Sequence, residues 1–170
     1  MGNAITSLVR RGLDHWSRQK YRTQTRSRIE ELASQDDPRL RSIGAVLRRV
    51  VADEWSSDER ALFDAIERRR QELLDSDEEI MVIDFGAGTS DSHRTQEEME
   101  RGTEKTAFVS DVADASKAAF WARLLYGLVR ELRPVSCVEL GTCAGISAAY
   151  QAGALRLNGN GRLTTLEGSP

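Results

Sequence analysis

The residues best suited to do chemistry lie in one segment near the end of the printed sequence. Glu139 stands two residues before Gly141, Gly145 follows, and a second acidic residue, Glu167, comes 28 residues after Glu139. Glycines let a backbone turn tightly and approach a ligand, and a helix N-terminus offers free N–H groups and a positive dipole end. An acidic residue at the tip of the next strand can accept hydrogen bonds from a ribose diol. The pattern therefore predicts a nucleoside-type cofactor at the carboxyl edge of a parallel sheet.

The spacing of the glycines bears on which cofactor would fit. A dinucleotide-binding loop has the pattern G-x-G-x-x-G, and its middle glycine lets a pyrophosphate come close to the backbone. Here Cys143 occupies the position of that middle glycine, which disfavours NAD. An acidic residue two positions before the first glycine suits a cofactor without phosphates that carries a cationic or amino-acid portion.

The elements that must position this segment follow from the hydrophobic pattern. Residues 136–140 predict a strand, residues 146–157 a helix, and residues 162–166 another strand. Strand, helix and strand in that order form a βαβ unit, which favours a parallel sheet covered by helices.

Upstream of this unit the pattern is mainly helical. The first 75 residues predict three amphipathic helices, with Asp36-Asp37-Pro38 as one start signal and Ser56 or Ser57 as the next cap. Trp121 and Tyr126 are predicted to lie in the core. Helices are expected over 5–16 (continuing through 26–32), over 38–53, over a segment that carries Leu62 to Leu74, and over 114–132. A strand is expected over 80–83, and a loop or weak helix over 89–106.

Residues 136–170 resemble the start of the class I S-adenosylmethionine (SAM)-dependent methyltransferases. The form Glu-Leu-Gly-Thr-Cys-Ala-Gly-Ile-Ser is most similar to the small-molecule O-methyltransferases related to the catechol and caffeoyl-CoA enzymes. The resemblance implies a Rossmann-like sheet in which Glu167 binds the ribose hydroxyls of SAM. Cys143 replaces a residue that is often glycine or aromatic in that family. The residues implied on the methionine side of the cofactor are Glu139, Gly141, Thr142, Cys143, Gly145 and Ser147.

The resemblance also implies a reaction, the transfer of a methyl group from SAM to an oxygen, less often a nitrogen, of a small-molecule acceptor. It assigns no catalytic residue or metal ligand, because those groups come from loops after later strands. We therefore expect an α/β protein: a helical region over 1–78, then over 79–170 the start of a Rossmann-like SAM-binding domain, apparently truncated. Two alternatives stay open, a non-enzymatic helical interaction protein with a degenerate or truncated nucleotide-binding fold, and an NAD-type oxidoreductase fragment.

Composition narrows the class of protein. The chain has 27 Asp+Glu against 24 Lys+Arg, a net charge of −3, which argues against a general nucleic-acid binder. No apolar run is long enough for a transmembrane helix, and no secretory signal pattern is present, so we expect a cytoplasmic protein. The two cysteines suit neither a disulfide framework nor a zinc site. Homo-oligomer formation through the N-terminal helices is an open expectation.

Several other motifs have simpler interpretations. Asp84-Phe85-Gly86-Ala87-Gly88 resembles an acidic-plus-glycine loop, but the polar residues after it could not pack a helix against a sheet, so it predicts a structural turn. His15 and His93 are predicted on the surface. The basic N-terminal helix is predicted to pack on its neighbours rather than on a membrane surface or an acidic partner. Residues 1–6 fit the myristoylation pattern, which is short enough to occur by chance.

Overall fold

The structure, a computed structural model, describes residues 23–85 and 95–169. The chain is mixed α/β and divides into two units, Met1–Glu54 and Trp55–Pro170. The predictions for the helix over 5–16, the basic N-terminal helix, the myristoylation pattern, His15, His93 and the glycines of residues 86–88 lie outside the described residues.

The first unit contains two helices, α1, described over residues 23–33, and α2 (Pro38–Ala52). Asp37 caps α2, since its side chain accepts hydrogen bonds from the N–H groups of Arg39 and Leu40, and Pro38 occupies the first turn, where its missing N–H has no intrahelical partner to lose. The start signal predicted from the sequence is therefore confirmed, and α1 confirms the helix expected over 26–32.

The second unit begins with a capped helix and continues through two small sheets. Ser56 accepts from the N–H of Glu59, and the Glu59 side chain accepts from the N–H of Ser56, which is a capping box. The elements in order are α3 (Ser57–Leu74), β1 (Glu79–Asp84), α4 (Gln96–Arg101), β2 (Thr103–Phe108), α5 (Val109–Asp114), α6 (Ala119–Leu132), β3 (Ser136–Leu140), α7 (Ile146–Asn158) and β4 (Arg162–Leu166).

The strand β1 pairs with β2 in an antiparallel hairpin, in register from Glu79 opposite Phe108 to Asp84 opposite Thr103. The strand expected over 80–83 is confirmed, but the loop or weak helix expected over 89–106 is wrong where β2 runs. The sequence of β2 is mostly polar and lacks apolar alternation, so the strand depends on hydrogen bonds to β1 rather than on a pattern of its own. The helix expected from residue 114 begins instead at Ala119 and follows the short α5.

The βαβ unit predicted from the sequence is confirmed. Strands β3 and β4 are parallel, with Ser136 opposite Arg162 and Leu140 opposite Leu166. Side chains alternate across a strand, so Glu139, which contacts α7, lies on one face while its neighbours lie on the other. On that second face the large apolar side chains are exposed within the described part of the chain: Val138 at 65%, Leu140 at 79% and Leu166 at 53%.

An aromatic cluster joins α3 to α6 and α7. Phe63 is 1% exposed, and its ring centroid lies 4.8 Å from that of Tyr126 and 5.2 Å from that of Tyr150. Both tyrosine hydroxyls donate to glutamates of α3, Tyr126 to Glu59 at 2.9 Å and Tyr150 to Glu67 at 2.8 Å. Helix α3 therefore belongs to the second unit, together with the sheets that follow it.

The buried stripe of α6 contains Ala122, Tyr126 and Val129, which recur at helical spacing. Tyr126 is fully buried, as the sequence predicted, but the prediction for Trp121 is wrong, since that side chain is 56% exposed. Trp121 lies one position off the stripe and lines a surface groove with Leu124, Leu125 and Leu128. Within the described ranges, none of the helices has the length and hydrophobicity needed to cross a membrane.

Candidate functional site

The glycine-containing turn between β3 and α7 holds three residues in the left-handed region of backbone conformation. These are Gly141 at φ 83°, Cys143 at φ 49° and Gly145 at φ 73°. The N–H of Gly141 donates to the carbonyl of Leu166 at 2.8 Å, and the N–H of Gly145 donates to the carbonyl of Thr142 at 2.8 Å. The turn is thus bonded both to the end of β4 and within itself.

Glu167 is bonded directly to this turn. Its Oε2 accepts from the N–H of Cys143 at 2.7 Å, and its Oε1 accepts from the N–H groups of Gly168 at 2.8 Å and Ser169 at 3.2 Å. The acidic residue at the tip of β4 and the glycine turn after β3, which are well separated in the sequence, therefore form one site. These three bonds leave part of the acceptor capacity of the carboxylate, about four lone-pair positions, for a further donor.

The glycines of the turn border open space. A Cβ built on Gly141 or on Gly145 would have no heavy atom within 4 Å. Gly153 in α7 is different, because a Cβ there would lie 2.5 Å from Leu62 Cδ2. Close packing against Leu62 thus explains why residue 153 is a glycine. The turn glycines are instead needed for their positive φ, and they leave room above the backbone for a ligand.

Glu139 is held by α7. Its Oε1 accepts a hydrogen bond of 2.8 Å from Nε2 of Gln151. Its Oε2 is buried and has no hydrogen-bond partner, and it is the one such carboxylate oxygen in the part of the chain that the structure describes. An unsatisfied buried carboxylate oxygen calls for a hydrogen-bond donor, and a cationic group would supply one.

The structure brings together most of the residues predicted from the sequence. Glu139, Gly141, Thr142, Cys143, Gly145 and Glu167 meet at the carboxyl ends of β3 and β4, and Ser147 lies in the first turn of α7, half-buried. Cys143 is exposed, and its Sγ lies 3.2 Å from the carbonyl oxygen of Val112 in α5. Sequence reasoning missed Gln151 and the approach of α5. The only signal for Gln151 was a polar residue in an otherwise apolar stretch of helix.

The pKa of Glu167 is held below its ordinary value, mainly by the N–H of Cys143 and then by the N–H of Ser169. Because the pKa is lower in the folded than in the unfolded protein, these bonds stabilise the fold above the unfolded pKa. That contribution is lost as the pH falls through the folded pKa. Carboxyl NMR titration should place the midpoint of Glu167 below that of glutamate in an unstructured peptide, about 4.3. A midpoint at or above the peptide value would show that the bonds to the turn do not form in solution.

Asp84, the acidic residue of the other acidic-plus-glycine segment, forms an ion pair. Asp84 Oδ2 lies 2.7 Å from Nζ of Lys105, across the hairpin of β1 and β2. This ion pair joins the last residue of β1 to β2, whereas the turn predicted over the following glycines lies outside the described residues. Over residues 23–85 and 95–169, no group of three or more His, Cys, Asp or Glu side chains could hold a metal ion.

Comparison with known proteins gives no relative for this chain. A scan against family models and searches of curated proteins and of solved structures found no match. The functional interpretation therefore depends on the geometry of the site and on the resemblance of residues 136–170 to the methyltransferase pattern.

Proposed function

We propose that this chain carries the SAM-binding part of a class I methyltransferase that acts on a small-molecule acceptor, at oxygen. The observation that carries the proposal is the bond between Glu167 and the N–H of Cys143, which joins the acidic strand tip to a glycine turn with open space above it. A Rossmann-like sheet, of which β3, α7 and β4 would be the first βαβ unit, belongs to the same proposal.

The described residues fit this cofactor chemically. Glu139 Oε2 lacks a donor, and the α-amino group of the methionine portion would supply a cationic one. Gly141 and Gly145 leave space for that portion, and the N-terminus of α7 presents N–H groups to its carboxylate. Glu167 would accept hydrogen bonds from the ribose hydroxyls, in addition to or in place of its present donors.

When bound, SAM would supply an electrophilic methyl group, which passes to a nucleophilic oxygen of the acceptor as its bond to sulfur breaks and S-adenosylhomocysteine leaves. The role of these residues is to position the cofactor, since holding two reactants in line removes much of the entropic barrier. Cys143 replaces the middle glycine of the dinucleotide pattern, and this favours SAM over NAD because that glycine is what lets a pyrophosphate approach the backbone.

Calorimetry with S-adenosylhomocysteine tests the proposal. We expect Glu167→Ala to lower the affinity at least tenfold, because truncation removes both the ribose acceptor and the partner of the Cys143 N–H; a charge-assisted hydrogen bond alone is worth about 1.5–3 kcal/mol. Glu104→Ala is the matched control, since it removes an exposed glutamate from β2, and its affinity should equal that of the unaltered protein.

Other outcomes would contradict the proposal. Equal affinity in the Glu167→Ala variant and the control would show that the ligand lies elsewhere. Absence of binding to the unaltered protein at millimolar ligand would favour a non-enzymatic interaction protein, and tight binding of NAD instead would favour an oxidoreductase.

A further inference from the structure

The amide of Gln151 is placed to orient the carboxylate of Glu139. Gln151 is buried, with 9% of its surface exposed, and its Nε2 donates to Glu139 Oε1 at 2.8 Å and to the carbonyl of Ser147 at 3.4 Å. A side-chain amide has two N–H donors, and both are used. The second bond fixes the amide against α7 itself, so the first bond fixes the rotation of the Glu139 carboxylate.

This bond makes the two oxygens of Glu139 unequal. Oε1 is satisfied by Gln151, whereas Oε2 is buried without a partner. Three N–H groups of the neighbouring turn are already used, since those of Gly141, Cys143 and Gly145 donate to Leu166, Glu167 and Thr142 respectively. A donor for Oε2 would therefore come from outside these three groups, and an ammonium group of a bound ligand is one such donor.

We infer that Gln151 is a positioning residue, which orients Glu139 so that its Oε2 binds an ammonium group and thereby selects ligands that carry an amino-acid portion over bare nucleosides. The inference rests on the proposed function and goes beyond it, since it assigns ligand discrimination to a residue of α7 that does not itself touch the ligand. Glu167 would act on the ribose, which both kinds of ligand share, so the two acidic residues have separable effects.

The test compares two ligands in calorimetry, S-adenosylhomocysteine and 5′-deoxy-5′-methylthioadenosine, which lacks the amino-acid portion. Gln151→Met keeps the length of the side chain and removes its N–H donors. We expect this variant to bind S-adenosylhomocysteine about tenfold more weakly, since the Glu139 carboxylate loses its orientation and with it the charge-assisted hydrogen bond to the ammonium group of the ligand. It should bind methylthioadenosine as the unaltered protein does. A merely structural role of Gln151 would weaken both ligands alike.

A double-mutant cycle separates orientation of Glu139 from other effects. In a Glu139→Gln background, Gln151→Met should have little further effect on S-adenosylhomocysteine, because the carboxylate that it orients is gone. Gln96→Met is the matched control, since Gln96 Nε2 donates to Glu100 Oε1 at 2.9 Å in the exposed helix α4, a similar amide–carboxylate pair away from the turn. Its affinity for both ligands should be unchanged.

The outcomes distinguish this inference from the proposed function. If the unaltered protein binds neither ligand, the proposed function fails. If it binds S-adenosylhomocysteine but Gln151→Met weakens both ligands equally, or neither, then the proposed function stands and the role assigned to Gln151 is overturned. Additive effects of the two substitutions in the cycle would likewise overturn it.

Discussion

Phe63→Ala is expected to destabilise the second unit by about 3–5 kcal/mol, the usual loss when a fully buried aromatic side chain is truncated. The Phe63 ring lies at the centre of the aromatic cluster, 5.1 Å from the ring centroid of Trp55 and 4.8 Å from that of Tyr126. Its loss would leave a cavity where α3, α6 and α7 meet. Since folded domains are stable by only about 5–15 kcal/mol, the variant should unfold at much lower urea concentration.

Phe120→Ala provides the matched control. Phe120 is 45% exposed in the first turn of α6 and makes an edge contact with Trp121, so its truncation removes little buried surface. We expect a change under about 1 kcal/mol, the size of a surface substitution. Urea unfolding followed by circular dichroism measures both variants. Equal stability loss in the two would show that α3 does not pack against α6 and α7 in solution.

The βαβ unit could be predicted from the sequence because its signals are local. The short apolar runs that become β3 and β4 and the glycines that flank α7 each lie within a few residues of the structure that they determine. The parallel pairing then follows from the order of the elements, since a strand, helix and strand connection normally places the strands side by side. The same logic predicted the caps of α2 and α3, where Asp37 and Ser56 act on the next turn of chain.

Features that depend on distant partners could not be predicted in the same way. The strand β2 is polar and forms because β1, some 20 residues earlier, pairs with it, so its own composition gives no signal. Trp121 has the residue type of a core position, yet the buried stripe of α6 is set by which side chains meet α3 and α7. A hydrophobic side chain one position off such a stripe is exposed, although its residue type is one that is usually well buried.

In the candidate site, too, some features could be predicted from the sequence and others could not. The juxtaposition of Glu167 with the turn was expected from the resemblance, and the bond to the N–H of Cys143 agrees with it. The role of Gln151 was not expected, because glutamine in a helix is ordinarily a surface residue. Its significance depends on an oxygen of Glu139 that lacks a partner, which only the three-dimensional arrangement of β3 and α7 can reveal.

The two glycines that flank α7 provide the second large prediction. Gly145 precedes the helix at φ 73° and ψ 8°, and Gly159 follows it at φ 73° and ψ 7°. A Cβ on either would have no heavy atom within 4 Å. An alanine therefore meets the same backbone strain at both positions, about 1–2 kcal/mol for a left-handed conformation, and no steric clash with the protein at either. The two ends of the helix lie about 20 Å apart at 1.5 Å per residue.

Gly145→Ala should lower the affinity for S-adenosylhomocysteine at least tenfold, roughly 1.4 kcal/mol or more, because its methyl group would enter the space proposed for the ligand. Gly159→Ala should bind the ligand as the unaltered protein does, although thermal unfolding should show a similar stability loss in both variants. Backbone strain should lower the stability of the two variants equally, so a loss of affinity in Gly145→Ala alone places the ligand at the turn that contains Gly145. If neither variant differs in affinity from the unaltered protein, the ligand lies away from the turn. If both variants bind it equally more weakly, α7 responds as a whole to strain at either end.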